Sequence, residues 1–141
     1  ISIFPIYSEK DMALLDQKQK DIDIYVEEKN KQLSRKVDDF GHIYGIVFAE
    51  RYFSELGNRL CEMNPDIEYI AMVDIYEGKI HYRTIREDVD LGREIAHSYG
   101  GGGHKKAAES TFNGKAAMAE LSDYVFIKSS DGLMFRDGDN L

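Results

Sequence analysis

A chain of 141 residues with 43% hydrophobic and 31% charged residues is long enough for one cored domain, or one domain with an extension. Its net charge of −8 excludes a broad electrostatic face for duplex nucleic acid, while leaving room for a small, locally basic site. The single cysteine, Cys61, excludes an internal disulfide and a thiolate zinc cluster, which fits a reducing cytoplasm. No apolar run reaches membrane-spanning length, so no membrane partner is expected.

The chain opens on Ile1 rather than Met, and we read it as a fragment of a longer protein. Residues 1–8 read as an extended connector, with Pro5 barring a helix interior. Residues 11 to about 40 hold no Pro or Gly. Leu15, Ile22, Val26, Leu33, Val37 and Phe40 recur at threes, fours and sevens, which predicts one long helix. Its early aspartates and late bases suit the helix dipole. Packing on its own domain or on an absent neighbour is the simplest role. Coiled-coil pairing over about three heptads is the alternative, and a homodimer stays open.

The run from His42 to Ala49 predicts an interior strand. Ser54 is a candidate cap for a short helix bearing Leu56, Leu60 and Met63, stopped by Asn64-Pro65. Glu68 to Ile75 predicts a second strand, Tyr76 to Lys79 a hairpin turn, and Lys79 to Arg86 a third strand antiparallel to it. Asp90 is placed to cap a helix from Leu91 to Tyr99. Then come Gly100, Gly101, Gly102 and Gly103, followed by His104, Lys105, Lys106, Ala107 and Ala108.

Four successive glycines cost more backbone entropy than any other four residues, so a bare backbone is needed there. The expectation is a turn running into a brief helix from His104, whose free N–H groups and dipole hold a phosphate. A flexible surface connection is the competing reading, but Ile95, Ala96 and Tyr99 before the glycines look packed. The stretch is neither a Walker A loop nor a dinucleotide fingerprint. A strand at Ser110 to Phe112 and an amphipathic helix over residues 115–125 follow, and residues 128–141 read as a loose tail. Uneven alternation of strands and helices with a hairpin predicts an α/β fold: a mixed β-sheet with packed helices, preceded by a long N-terminal helix.

Gly-Gly-Gly-His followed by Lys and paired alanines resembles the signature of the DHH-associated domain. That domain is the C-terminal half of the DHH phosphoesterases: RecJ-type exonucleases, oligoribonucleases, cyclic dinucleotide phosphodiesterases and exopolyphosphatase-related proteins. The family's Ser-x-Arg-Ser strand end has its counterpart in His81-Tyr82-Arg83-Thr84, and its Asp-Val-Asp in Asp88-Val89-Asp90. The resemblance covers residues 42–127 as a substrate-binding domain, with 1–41 as connector and linker helix. Two positions depart from it: His81 stands for the first Ser, and Glu109 for the usual Gly after the alanines.

The resemblance implies that Arg83, Thr84, Gly100 to Gly103, His104 and Lys105 contact the phosphate of a short oligonucleotide or nucleotide phosphate. Arg83 would fork onto phosphate oxygens, Thr84 would offer a hydroxyl, and His104 would either bind or transfer a proton. Arg86, His42 and His97 are weaker or structural candidates. The family's metal ions, usually manganese, sit in an upstream domain marked Asp-His-His. That tripeptide is missing here, so no metal site is expected in this fragment and the fragment alone is expected to be inactive. The resemblance leaves the substrate open among oligoRNA, DNA, nucleotide bisphosphate, cyclic dinucleotide and polyphosphate. A non-catalytic module like the end of alanyl-tRNA synthetases, or an unrelated nucleotide sensor, would need a different upstream partner or none.

Overall fold

Ser8 opens the described chain by capping the first helix: its hydroxyl accepts from the Asp11 amide, and the Asp11 carboxylate accepts from the Ser8 amide in return. The structure, a computed structural model, describes residues 8–111. Helix α1 spans Glu9–Gln32 and buries Ile22, Tyr25, Val26 and the stem of Lys29. It ends earlier than the periodicity predicts. Leu33 turns to an extended conformation, and Ser34–Val37 forms strand β1, antiparallel to β2 (Ile43–Phe48). Val37 and Phe40, counted on the helical stripe, are exposed instead. The reversal between β1 and β2 is held by the Asp38 carboxylate, which accepts from the Phe40 and His42 amides at 2.9 Å each. Arg35 adds a clasp, donating to Asp66 and to the Asn64 side chain.

The remaining elements are α2 (Phe53–Met63), β3 (Tyr69–Asp74), β4 (Lys79–Arg83), a wide-turned π-type helix α3 (Leu91–Ala96), β5 (Gly102–Gly103) and β6 (Ala107–Thr111). They make one six-stranded mixed sheet in the order β1-β2-β3-β4-β6-β5. Only β2 and β3 are parallel, and α2 is their crossover. The turn predicted at Tyr76 to Lys79 joins β3 to β4, with Gly78 at φ +67°. Tyr52, not Ser54, is the residue before α2, in the left-handed region at φ 54° and without a side-chain cap.

Strand β3 is buried along its whole length, because both faces of the sheet are covered. On one face α1 and α2 pack Val26, Leu56 and Leu60 against Val47, Ile70 and Met72. On the other, α3 packs Leu91, Ile95 and Ala96 with Val89 against Tyr69, Ala71, Tyr82 and Ala108. Asp90 caps α3 by accepting from the Arg93 amide.

The expected brief helix after the glycines does not form: Ala107–Thr111 is strand β6, running antiparallel to β4. Phe112, the helix predicted over residues 115–125 and the tail from 128 lie outside the described residues.

Candidate functional site

The site is built where the end of β4 meets the start of α2 and the glycine hairpin. Arg83 closes β4, and its stem runs against Gly57 of α2, where an added β-carbon would come within 2.7 Å of the Arg83 Cβ. Glycine at position 57 therefore makes the space in which Arg83 lies. The Arg83 Nε is buried and has no hydrogen-bond partner, and no ion pair reaches Arg83 among the described residues. An unmet buried donor costs about 1–3 kcal/mol, and more when it is charged. Arg83 is also one of the residues lining a cleft of about 390 Å³, with Phe53, Ser54, His81, the glycines 102 and 103, and Glu109.

The glycines do other work than expected. Gly100, at φ +81°, ends the helical run, its amide donating to the His97 carbonyl, while the Gly101 amide donates to the Ala96 carbonyl. Gly102 and Gly103 pair as an edge strand with Glu109 and Ala108. The His104 amide donates to the Ala107 carbonyl at 2.8 Å. The amides of Gly100, Gly101 and His104 are thus spent within the fold, and the glycines lead into strand β6 rather than into a helix N-terminus. A bare backbone is required because the hairpin lies flat against β6 and α3: a β-carbon on Gly101 would come within 2.7 Å of the Ser110 Cα, and one on Gly103 within 2.6 Å of the Ala108 Cα.

Of the residues singled out in the sequence, Arg83, Gly102 and Gly103 meet in the cleft. Gly100, Gly101, Thr84, His104 and Lys105 do not line it. The Thr84 hydroxyl is committed to the backbone, donating to the Glu68 carbonyl at 2.6 Å and accepting from the Arg86 amide. Lys105 and Lys106 both turn to Glu87, and the His104 side chain is exposed. Arg86 donates to Glu68 rather than facing the cleft. His97 is exposed, and His42 bridges Glu68 and Glu94.

Phe53, His81 and Glu109 are cleft residues that motif reading did not assign. The His81 ring stacks on Phe53 with centroids 3.9 Å apart and planes at 19°. Burial lowers the His81 pKa, and the nearby Glu109 and Asp74 carboxylates only partly oppose this, so the neutral ring is favoured. His81 and Glu109 are the two departures from the signature, and they stand directly opposite each other across β4 and β6.

On the other face of the sheet, Tyr44 stacks on Tyr69 and Tyr82 on Tyr99 around a second hollow of about 300 Å³. Burial raises the Tyr69 and Tyr82 phenol pKa values, so both stay protonated. Among the described residues no group of three or more His, Cys, Asp or Glu is arranged to hold a metal ion. Nor is any described helix long and apolar enough to cross a membrane.

By fold the chain is a mixed α/β domain with a cleft formed by a strand end, a helix start and a glycine hairpin. No family model matches it. Over 107 residues it is 42% identical to the oligoribonuclease NrnB of Bacillus subtilis strain 168, an alignment covering 74% of this chain and 25% of that protein. The chain therefore spans about a quarter of the length of this curated relative. A crystal structure of an uncharacterized protein from Helicobacter pylori G27 shares the fold, with a TM-score of 0.52 at 20% identity, over 72% of this chain and 30% of that one. The pGpG-specific phosphodiesterase PggH of Vibrio cholerae is 15% identical with a TM-score of 0.49, over 86% of this chain and 43% of that one. The 42% identity supports a DHH-associated C-terminal domain.

Proposed function

We propose that this domain grips the phosphate of a nucleotide or the end of a short oligonucleotide, on behalf of a DHH-type phosphoesterase. The observation that carries the reading is Arg83, which lines the cleft, takes part in no ion pair among the described residues, and has a buried Nε with no partner among them. A phosphate oxygen in the cleft would accept charge-assisted hydrogen bonds from the Arg83 guanidinium. Gly102 and Gly103 form a side-chain-free wall that lets a substrate backbone come close, and Phe53 with His81 offers an aromatic surface. The 42% identity to an oligoribonuclease supports the nucleotide class. The metal ions and the attacking water would come from an upstream DHH domain, and this half would hold and orient the substrate.

The test is a titration of the chain with a mononucleotide 5′-phosphate and with a dinucleotide, following the Arg83 Nε–H and the Gly102 and Gly103 amides by NMR. Shifts at these three positions that disappear in Arg83→Ala are expected. Silence at millimolar nucleotide, or shifts unchanged in Arg83→Ala, would overturn the assignment.

A further inference from the structure

The cleft is cationic at one end and acidic at the other. Arg83 and His81 are two residues apart on β4, so their side chains share a face about 6.8 Å apart along the strand. Their register partners on β6 are Ala107 and Glu109. The Glu109 carboxylate is half exposed and underused. Its neighbours, Lys79 Nζ and His81 Nδ1, are each 3.8 Å away, too far for hydrogen bonds. Ala107, opposite Arg83, adds no competing polar group.

A chain of phosphates lying along this cleft would bring negative charge against Glu109. A nucleotide avoids that conflict. With its 5′-phosphate at Arg83, the next polar groups along it are the ribose hydroxyls, which are donors, and an ionised carboxylate only accepts. The stacked Phe53 and His81 rings line the same cleft as Glu109.

We infer that Glu109 reads the ribose hydroxyls of the nucleotide whose phosphate Arg83 holds, so that the cleft selects ribonucleotides over deoxyribonucleotides and over polyphosphate. This rests on the phosphate-gripping role of Arg83. The hydroxyl pair accounts for the sugar, and the 2′-hydroxyl is the group that separates RNA from DNA. A hydrogen bond to a charged acceptor, lost in the deoxy compound, corresponds to a preference of about tenfold.

The experiment is a calorimetric titration of the chain with AMP, with 2′-deoxy-AMP and with inorganic triphosphate. It is run on the unsubstituted protein, on Glu109→Ala and on Arg83→Ala, with the amide spectrum of each variant confirming the fold. Glu109 is half exposed, so its truncation leaves the core untouched. The expected result is AMP bound about tenfold tighter than 2′-deoxy-AMP, with the preference lost in Glu109→Ala. Triphosphate should bind more tightly to Glu109→Ala, and Arg83→Ala should weaken both nucleotides alike. Equal affinity for the two nucleotides in the unsubstituted protein, or a preference that survives in Glu109→Ala, would overturn the role of Glu109 while leaving Arg83 in place. Nucleotide affinity unchanged in Arg83→Ala would overturn the phosphate grip itself.

Discussion

The carbonyl oxygen of Gly103 occupies the place that a β-carbon on Gly92 would fill. Helix α3 and the glycine hairpin are therefore interlocked by the absence of side chains on both. Gly92→Ala should push the hairpin off α3 and cost about 1–3 kcal/mol, as other forced insertions into packed interiors do. Urea denaturation would show it as a lower midpoint with an unchanged slope. Nucleotide binding should fall as well, since the displaced hairpin is one wall of the cleft.

Gly102 gives the contrasting case. A β-carbon there would meet nothing within 4 Å, and its φ lies outside the left-handed region. Gly102→Ala should change stability by no more than about 0.5 kcal/mol. Gly103→Ala, at φ +142° and against Ala108, should be strongly destabilising. Thermal melts of the two variants side by side check the pair. Equal losses would mean that the hairpin does not pack on β6 in solution.

These glycines also mark where sequence reading stopped. Their number pointed to a close approach of backbone, and that much was legible. Two glycines carry no β-propensity, however, and Gly102–Gly103 is a strand only because β6 lies beside it. Strands β2, β3 and β4 were legible because their apolar runs are bounded by turn residues, and α3 because Asp90 caps it. The end of α1 was not, since Leu33 and Val37 continue the helical spacing by chance and only pairing with β2 makes Ser34–Val37 extended. Arg83, singled out through the motif, lines the cleft. The facing of His81 and Glu109 depends on the β4–β6 register, which no local pattern encodes. Thr84 carried the right chemistry for phosphate, but a backbone carbonyl took its hydroxyl.

His42 ties the start of β2 to Glu68 and Glu94, at 3.3 and 3.5 Å. Burial disfavours its charged form, but the carboxylates of Glu68, Asp38 and Glu94 outweigh this, and its pKa is raised. A histidine whose folded pKa lies above its unfolded value of about 6.5 stabilises the fold fully below that pH. The contribution disappears as pH rises through the folded pKa. The stability gap between the unsubstituted protein and His42→Gln should therefore be larger near pH 6 than near pH 8.5, values that bracket about 6.5. His81, shifted the opposite way, is present in both proteins and cancels. Urea melts at the two pH values measure the gap, and a gap independent of pH would mean that the carboxylates do not hold the imidazolium.

Cys61 lies on α2 directly behind the end of β4, its thiol 3.7 Å from the Arg83 carbonyl oxygen. Burial pushes the thiol pKa up to about 11, so the nucleophilic thiolate is scarce as well as inaccessible near neutral pH. Labelling by a disulfide reagent near pH 8, about 3 units below that pKa, should therefore proceed through unfolding, and its rate should rise with urea in step with the unfolded fraction. Because Arg83 ends the adjoining strand, a nucleotide held in the cleft stabilises the state that shields Cys61. At a free concentration of about ten times its dissociation constant, the nucleotide should slow labelling about tenfold. In Arg83→Ala the slowing should be lost. Fast labelling without urea would show that α2 opens independently of the sheet, and in that case the nucleotide would leave the rate unchanged.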